Sequence, residues 1–193
     1  MMMREGQAAT AVHRLDYTPP AYWIDTVELC FDLDPTTTRV LNKMSLRRNT
    51  AVPPQPLRLD GEDLNLARVL VNGAGTSFKM DGSQLVLENL PEGEAPFSLE
   101  IFTTCAPIKN TQLSGLYVSQ GTFFTQCEAE GFRRITYFLD RPDVMASYQH
   151  AREVEFLAVE PQRLHRPIGV AAQAPLVQHP LFGGVRVSPQ APG

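Results

Sequence analysis

The sequence predicts a mostly β domain, an antiparallel sandwich or open barrel. Three observations carry this: apolar and polar residues alternate in short runs, Gly, Pro, Asn and Asp punctuate the runs, and there are 16 prolines and 13 glycines. Period-two alternation places every second side chain on one face of a pleated strand. Proline and glycine are unfavourable inside helices and common at turns, so helix is expected to be a minor component.

Taken in order, Val27 to Asp34 alternates with apolar side chains at 27, 29, 31 and 33, as a half-buried strand does. Asp34-Pro35-Thr36-Thr37 supplies turn chemistry, and Thr38, Val40, Met44 and Leu46 recur opposite Arg39, Lys43, Ser45 and Arg47, which predicts a long antiparallel hairpin. Further short strands are expected at Leu57 to Asp60, at Val69 to Val71 before Asn72-Gly73, at Phe78 to Met80 before Asp81-Gly82, at Leu85 to Leu87 and at Phe97 to Phe102. One short helix is predicted over Phe132 to Leu139, after the loop Gln126-Cys-Glu-Ala-Glu-Gly131, with Pro142 stopping it near Arg141.

The chain has 193 residues with 43% apolar content, which is enough for one domain with its own core. A net charge of −4 without a Lys/Arg run excludes the electrostatic footprint of a nucleic-acid binder. No window is apolar and long enough to span a bilayer, and residues 1–14 lack the apolar core of a secretory signal, so the expectation is a soluble cytoplasmic protein with no membrane partner. Cys30, Cys105 and Cys127 are odd in number and widely spaced, fitting reduced thiols better than a disulfide framework or a zinc site. Residues 1–15 read as a flexible lead-in, 16–148 as the β-domain, and 149–193 as a divergent, poorly ordered tail in which Pro, Gln, His and Gly mix without period.

Chemistry concentrates in residues 125–143, where Gln126-Cys-Glu-Ala-Glu-Gly-Phe-Arg133 runs on into Ile135-Thr-Tyr and Leu139-Asp-Arg-Pro-Asp-Val144. This segment resembles the bacterial aminopeptidase N family of gluzincin-type zinc aminopeptidases. Supporting matches are Tyr17-Thr-Pro-Pro-Ala-Tyr22, Leu57-Arg-Leu-Asp-Gly-Glu62 and Asn110-Thr-Gln-Leu-Ser-Gly-Leu-Tyr117, in the order of that family's N-terminal domain. The resemblance covers about residues 16–148. It implies a saddle-like antiparallel β-domain seated on a thermolysin-like catalytic domain, and a substrate-binding role for Gln126 and Glu128 at the free α-amino group.

The residue types suit that task. An ammonium has three donors, and a carboxylate beside an amide oxygen offers a charged and a neutral acceptor. In extended backbone the i, i+2 spacing would send Gln126 and Glu128 to one side. Cys127 between them would face the other way as a packed, inert thiol. Glu130 is expected to anchor the loop on Arg133 or Arg134, and Asp140-Arg141-Pro142-Asp143 to form a rigid turn whose charges organise the domain.

No His-Glu-x-x-His pattern occurs, and His13, His150, His165 and His179 are each isolated. Zinc, the cofactor of the full-length family, is therefore expected to have no ligands here, and the chain is expected to be inactive alone. Catalytic and metal-ligating residues are expected to be absent. From about Gln149 the match stops, which predicts a disrupted or early-ended reading frame, with a genuine short homologue as the rival. The expected partners are the N-terminus of a peptide substrate and the missing catalytic domain, with self-association through unpaired sheet edges. The competing readings are a catalytically inactive β-sandwich that binds a protein or peptide, and a remnant that does not fold stably.

Overall fold

A computed structural model describes residues 17–149 and the two-residue strand 186–187. The expectations for residues 1–16, for the tail beyond Gln149 apart from that strand, and for all four histidines lie outside the described residues.

A six-stranded sheet forms the body of the domain. Its strands are β1 (Tyr22–Asp32), β2 (Thr38–Arg48), β4 (Asn65–Val71), β5 (Ala74–Gly75), β8 (Phe97–Cys105) and β11 (Ser147–Gln149), in the order β11-β1-β2-β8-β4-β5. All neighbours run antiparallel except β11, which lies parallel to β1. Two three-stranded sheets complete the architecture: β3 (Leu57–Asp60), β7 (Gln84–Leu87) and β6 (Lys79–Asp81) in one; β9 (Gly115–Ser119), β10 (Thr122–Gln126) and β12 (Arg186–Val187) in the other. No sheet closes into a barrel among the described residues, and the arrangement is that of an antiparallel sandwich.

The predicted β1–β2 hairpin is present, with Val27 opposite Met44 and Phe31 opposite Val40. Its turn forms because the Asp34 carboxylate accepts hydrogen bonds from the Thr36 and Thr37 amides, each at 2.8 Å, which reproduces a backbone turn with a side chain. A bulge between Ile24 and Thr26 inserts Asp25 and changes the phase of alternation: Tyr22 and Ile24 are buried before it, Val27 after it. Leu46, Leu57, Leu59, Leu85, Leu99 and Ile101 are buried to within 1% of completely, so the core lies between the large sheet and β3–β7.

The predicted helix is corrected. Only a 3-10 turn, Phe132–Arg134, forms, closed by Ile135 N–H donating to the Phe132 carbonyl. Tertiary bonds overrule the local preference: Phe138 exchanges both backbone hydrogen bonds with Asp60 of β3, at 2.8 and 3.0 Å, and so must be extended. The Asp140 carboxylate meanwhile takes the Arg133 amide at 3.1 Å. Gly61 permits this approach, since a Cβ there would stand 2.2 Å from the Tyr137 ring.

A candidate amine-binding turn

Strand β10 ends at Gln126, and the next five residues turn back on themselves, with the Gly131 amide donating to the Cys127 carbonyl at 2.9 Å. The expectation of extended backbone through Glu128 is thereby corrected: strand alternation stops at Gln126, and the Glu128–Ala129 peptide is cis. The two residues nevertheless stay adjacent, because the Gln126 side-chain amide donates to the Glu128 carbonyl over a long 3.4 Å. Both are exposed.

Close packing holds the turn from below. A Cβ on Gly131 would lie 2.6 Å from the Gln126 carbonyl and 2.8 Å from the Ser114 hydroxyl, so only glycine lets the 110–114 loop and the turn touch. Asn110 braces that loop, its side-chain amide donating to the carbonyls of Ser114 at 2.7 Å and Leu116 at 2.9 Å.

The neighbouring carboxylates are engaged. Glu130 pairs with Arg133 at 3.2 Å, as the sequence led us to expect. Asp140 receives Arg133 through Nε at 3.0 Å, while Arg133 Nη2 reaches the Asp140 carbonyl at 2.9 Å. Asp143 holds Arg141 in a two-point contact at 2.7 and 2.9 Å, and Arg141 also donates to the Thr18 carbonyl at 2.8 Å, so the 140–143 charges do organise the domain. Burial pushes the Asp143 carboxyl upward, but the bonds from Arg141 and Tyr17 outweigh it and hold the group below its ordinary range. Among the described residues, Glu128 is the one carboxylate of the 126–143 segment with neither an ion pair nor a hydrogen bond to its side chain.

Cys127 packs against the core, and burial, then the Asp140 charge, pushes its thiol up to about 11. Such a thiol is a packing group and a poor nucleophile. Cys30 and Cys105 are also buried, and neither forms a disulfide.

Sequence reasoning missed the β9–β10 hairpin that delivers Gln126. Its signal was present in Gln120-Gly121, which take φ of +49° and +75° as a two-residue hairpin loop requires. Among the described residues, no three His, Cys, Asp or Glu side chains converge on one point.

No family model matches the chain. Aminopeptidase N of Escherichia coli (strain K12) is 46% identical over 143 residues, 74% of this chain and 16% of that protein. Aminopeptidase N of Caulobacter vibrioides is 44% identical over 141 residues, 72% of this chain and again 16% of the relative. The chain matches the N-terminal domain of the aminopeptidase N family over about three quarters of its length. It spans about 16% of the length of the curated relatives it matches.

Solved structures agree with the fold. Legionella pneumophila aminopeptidase A, in complex with aspartic acid, superposes with a TM-score of 0.64 at 29% identity over 70% of this chain and 16% of its own. The M1 zinc metallopeptidase of Deinococcus radiodurans reaches 0.57 at 13% identity over 68% of this chain and 32% of its own, a likeness of fold alone. The matched curated relatives are named as aminopeptidases, and the Deinococcus protein as a zinc metallopeptidase. Among the described residues no helix is long and apolar enough to cross a membrane.

Proposed function

We propose that this chain supplies α-amine recognition to a zinc aminopeptidase, with Gln126 and Glu128 gripping the ammonium of a peptide N-terminus. The observation that supports this reading is the state of Glu128: an exposed carboxylate left without a partner in a segment whose other acids are all paired. An unpaired carboxylate beside an amide is suited to a cationic ligand and fixes how far from the chain end a scissile bond would sit. The zinc, the activated water and the general base would come from outside these 193 residues, and the chain alone is expected to hydrolyse nothing.

Turnover of an aminoacyl chromogenic amide tests this. The 193-residue chain with zinc added should be silent, while the same domain joined to a zinc-bearing catalytic portion should turn over, with KM raised roughly tenfold or more by Glu128→Gln. Zinc-dependent activity in the short chain, or an unchanged KM in the joined Glu128→Gln variant, would overturn the proposal.

A second reading, a catalytically inactive interaction module, draws on Leu113, which leaves 55% of its surface exposed beside Ser114, the residue that packs on Gly131 of the turn. Peptide binding that ignores acetylation of the N-terminus would favour it.

A further inference from the structure

Arg134 follows the turn by three residues from Gly131, yet its side chain is only 8% exposed and its partners lie elsewhere in the chain. The guanidinium donates to Glu62, to Asp63 at 2.6 Å and to Gln112 at 3.1 Å, residues 72, 71 and 22 positions away. Its stem presses on a second loop: a Cβ on Gly115 would stand 2.4 Å from the Arg134 Cβ and 3.1 Å from the Gly131 carbonyl. Three stretches therefore meet on this one side chain, namely the β3–β4 loop, the 110–115 loop and the end of the 126–131 turn.

We propose that Arg134 is the positioning residue of the amine-binding turn: by tying the β3–β4 and 110–115 loops to the segment that carries Gln126 and Glu128, it sets how firmly that pair holds an ammonium. The inference rests on the amine-binding reading above. Lysine cannot replace arginine fully, because three acceptors in different directions need the rigid fork of a guanidinium. Glu62 and Asp63 keep 45% and 77% of their side-chain surface exposed. Their ion pairs accordingly add little to global stability, and both acids stay hydrated when the arginine is removed. The turn, in contrast, loses its lateral brace, and small displacements of a binding pair are expensive.

Nuclear magnetic resonance of the whole 193-residue chain tests this, titrating L-alaninamide against N-acetyl-L-alaninamide and following amide exchange. Arg134→Met is expected to weaken L-alaninamide binding roughly tenfold or more and to speed exchange at the Gly131 amide, leaving exchange in β2 and β8 unchanged. Arg134→Lys should recover part of both. Wild-type binding with unchanged Gly131 exchange in Arg134→Met overturns the inference, as does faster exchange across β2 and β8 together, which would make the residue a general stabiliser. If the wild-type chain discriminates no free amine, the ammonium reading falls by itself. Gly131 exchange then judges the brace: acceleration in Arg134→Met supports it, and no change overturns it.

Discussion

Strand β2 lies between β1 and β8, pairs with both along almost its whole length, and buries Val40, Met44 and Leu46 to 2% exposure or less. Beyond the end of β10, residues 127–143 pair with a strand only where Phe138 meets Asp60. Polar side chains cross-link them as well: Arg133 on Asp140, Arg141 on Asp143 and Thr18, Arg134 on Glu62, Asp63 and Gln112. Apolar burial contributes about 1.5–3 kcal/mol for each large side chain, whereas an exposed ion pair contributes at most about 1 kcal/mol. Both regions bury apolar groups, Phe132, Ile135, Tyr137 and Phe138 in the second, but continuous strand pairing belongs to the first and the geometry for recognition to the second. Substitutions should separate the two.

The largest expected effect is in the sheet. Leu99→Ala, at a fully buried site in β8, should lower unfolding free energy by about 2–5 kcal/mol in urea denaturation, through lost burial plus a cavity. Next is the seam between the regions, where Gly61→Ala drives a methyl into the Tyr137 ring. It should destabilise by roughly 1–3 kcal/mol and speed exchange of the Phe138 amide, which donates to Asp60 beside the glycine. Equal loss of protection throughout β2 would show that no seam exists.

A smaller effect depends on pH. Bonds from Thr36, then the Thr37 amide, hold the Asp34 carboxyl below its ordinary range in the folded chain. A depressed folded value means that the contribution is complete above the unfolded value of about 4 and is lost as pH falls through the folded value. Asp34→Ala should cost about 0.5–1 kcal/mol at neutral pH, the carboxylate being exposed, and should flatten the stability profile below about pH 4. A profile as steep as wild type would show that other acids set it. Smallest of all is Lys79→Ala, which breaks an exposed pair with Glu88 and should change stability by less than about 0.5 kcal/mol. A larger loss by thermal melting would mean that edge charges matter more here than in most domains.

Legibility from sequence followed the same division. The β1–β2 hairpin, β7 and β8 were readable because their alternation is local, and the Gln-x-Glu run was readable because it is contiguous. The helix over 132–139 was misread because what decides that segment is the Phe138–Asp60 exchange, 78 residues apart in the chain, and no local pattern encodes it. The bulge at Asp25 was invisible for a related reason: it shows itself only as a register shift against β2. Arg134 could not be singled out either, since a guanidinium that collects Glu62, Asp63 and Gln112 looks in sequence like any other surface arginine.

The parallel strand β11 has a bearing on how the chain is made. Ribosomal synthesis delivers β1 first, yet the strand that covers its outer edge begins at Ser147, roughly 115 residues after Asp32. At about 5–20 residues per second, that edge stays open for on the order of 6–25 s. The β1–β2 hairpin can close early, so for this interval a nascent chain presents an unpaired strand edge to its neighbours on the same polysome. Three residues, Ser147–Gln149, end that exposure along Thr26 to Glu28.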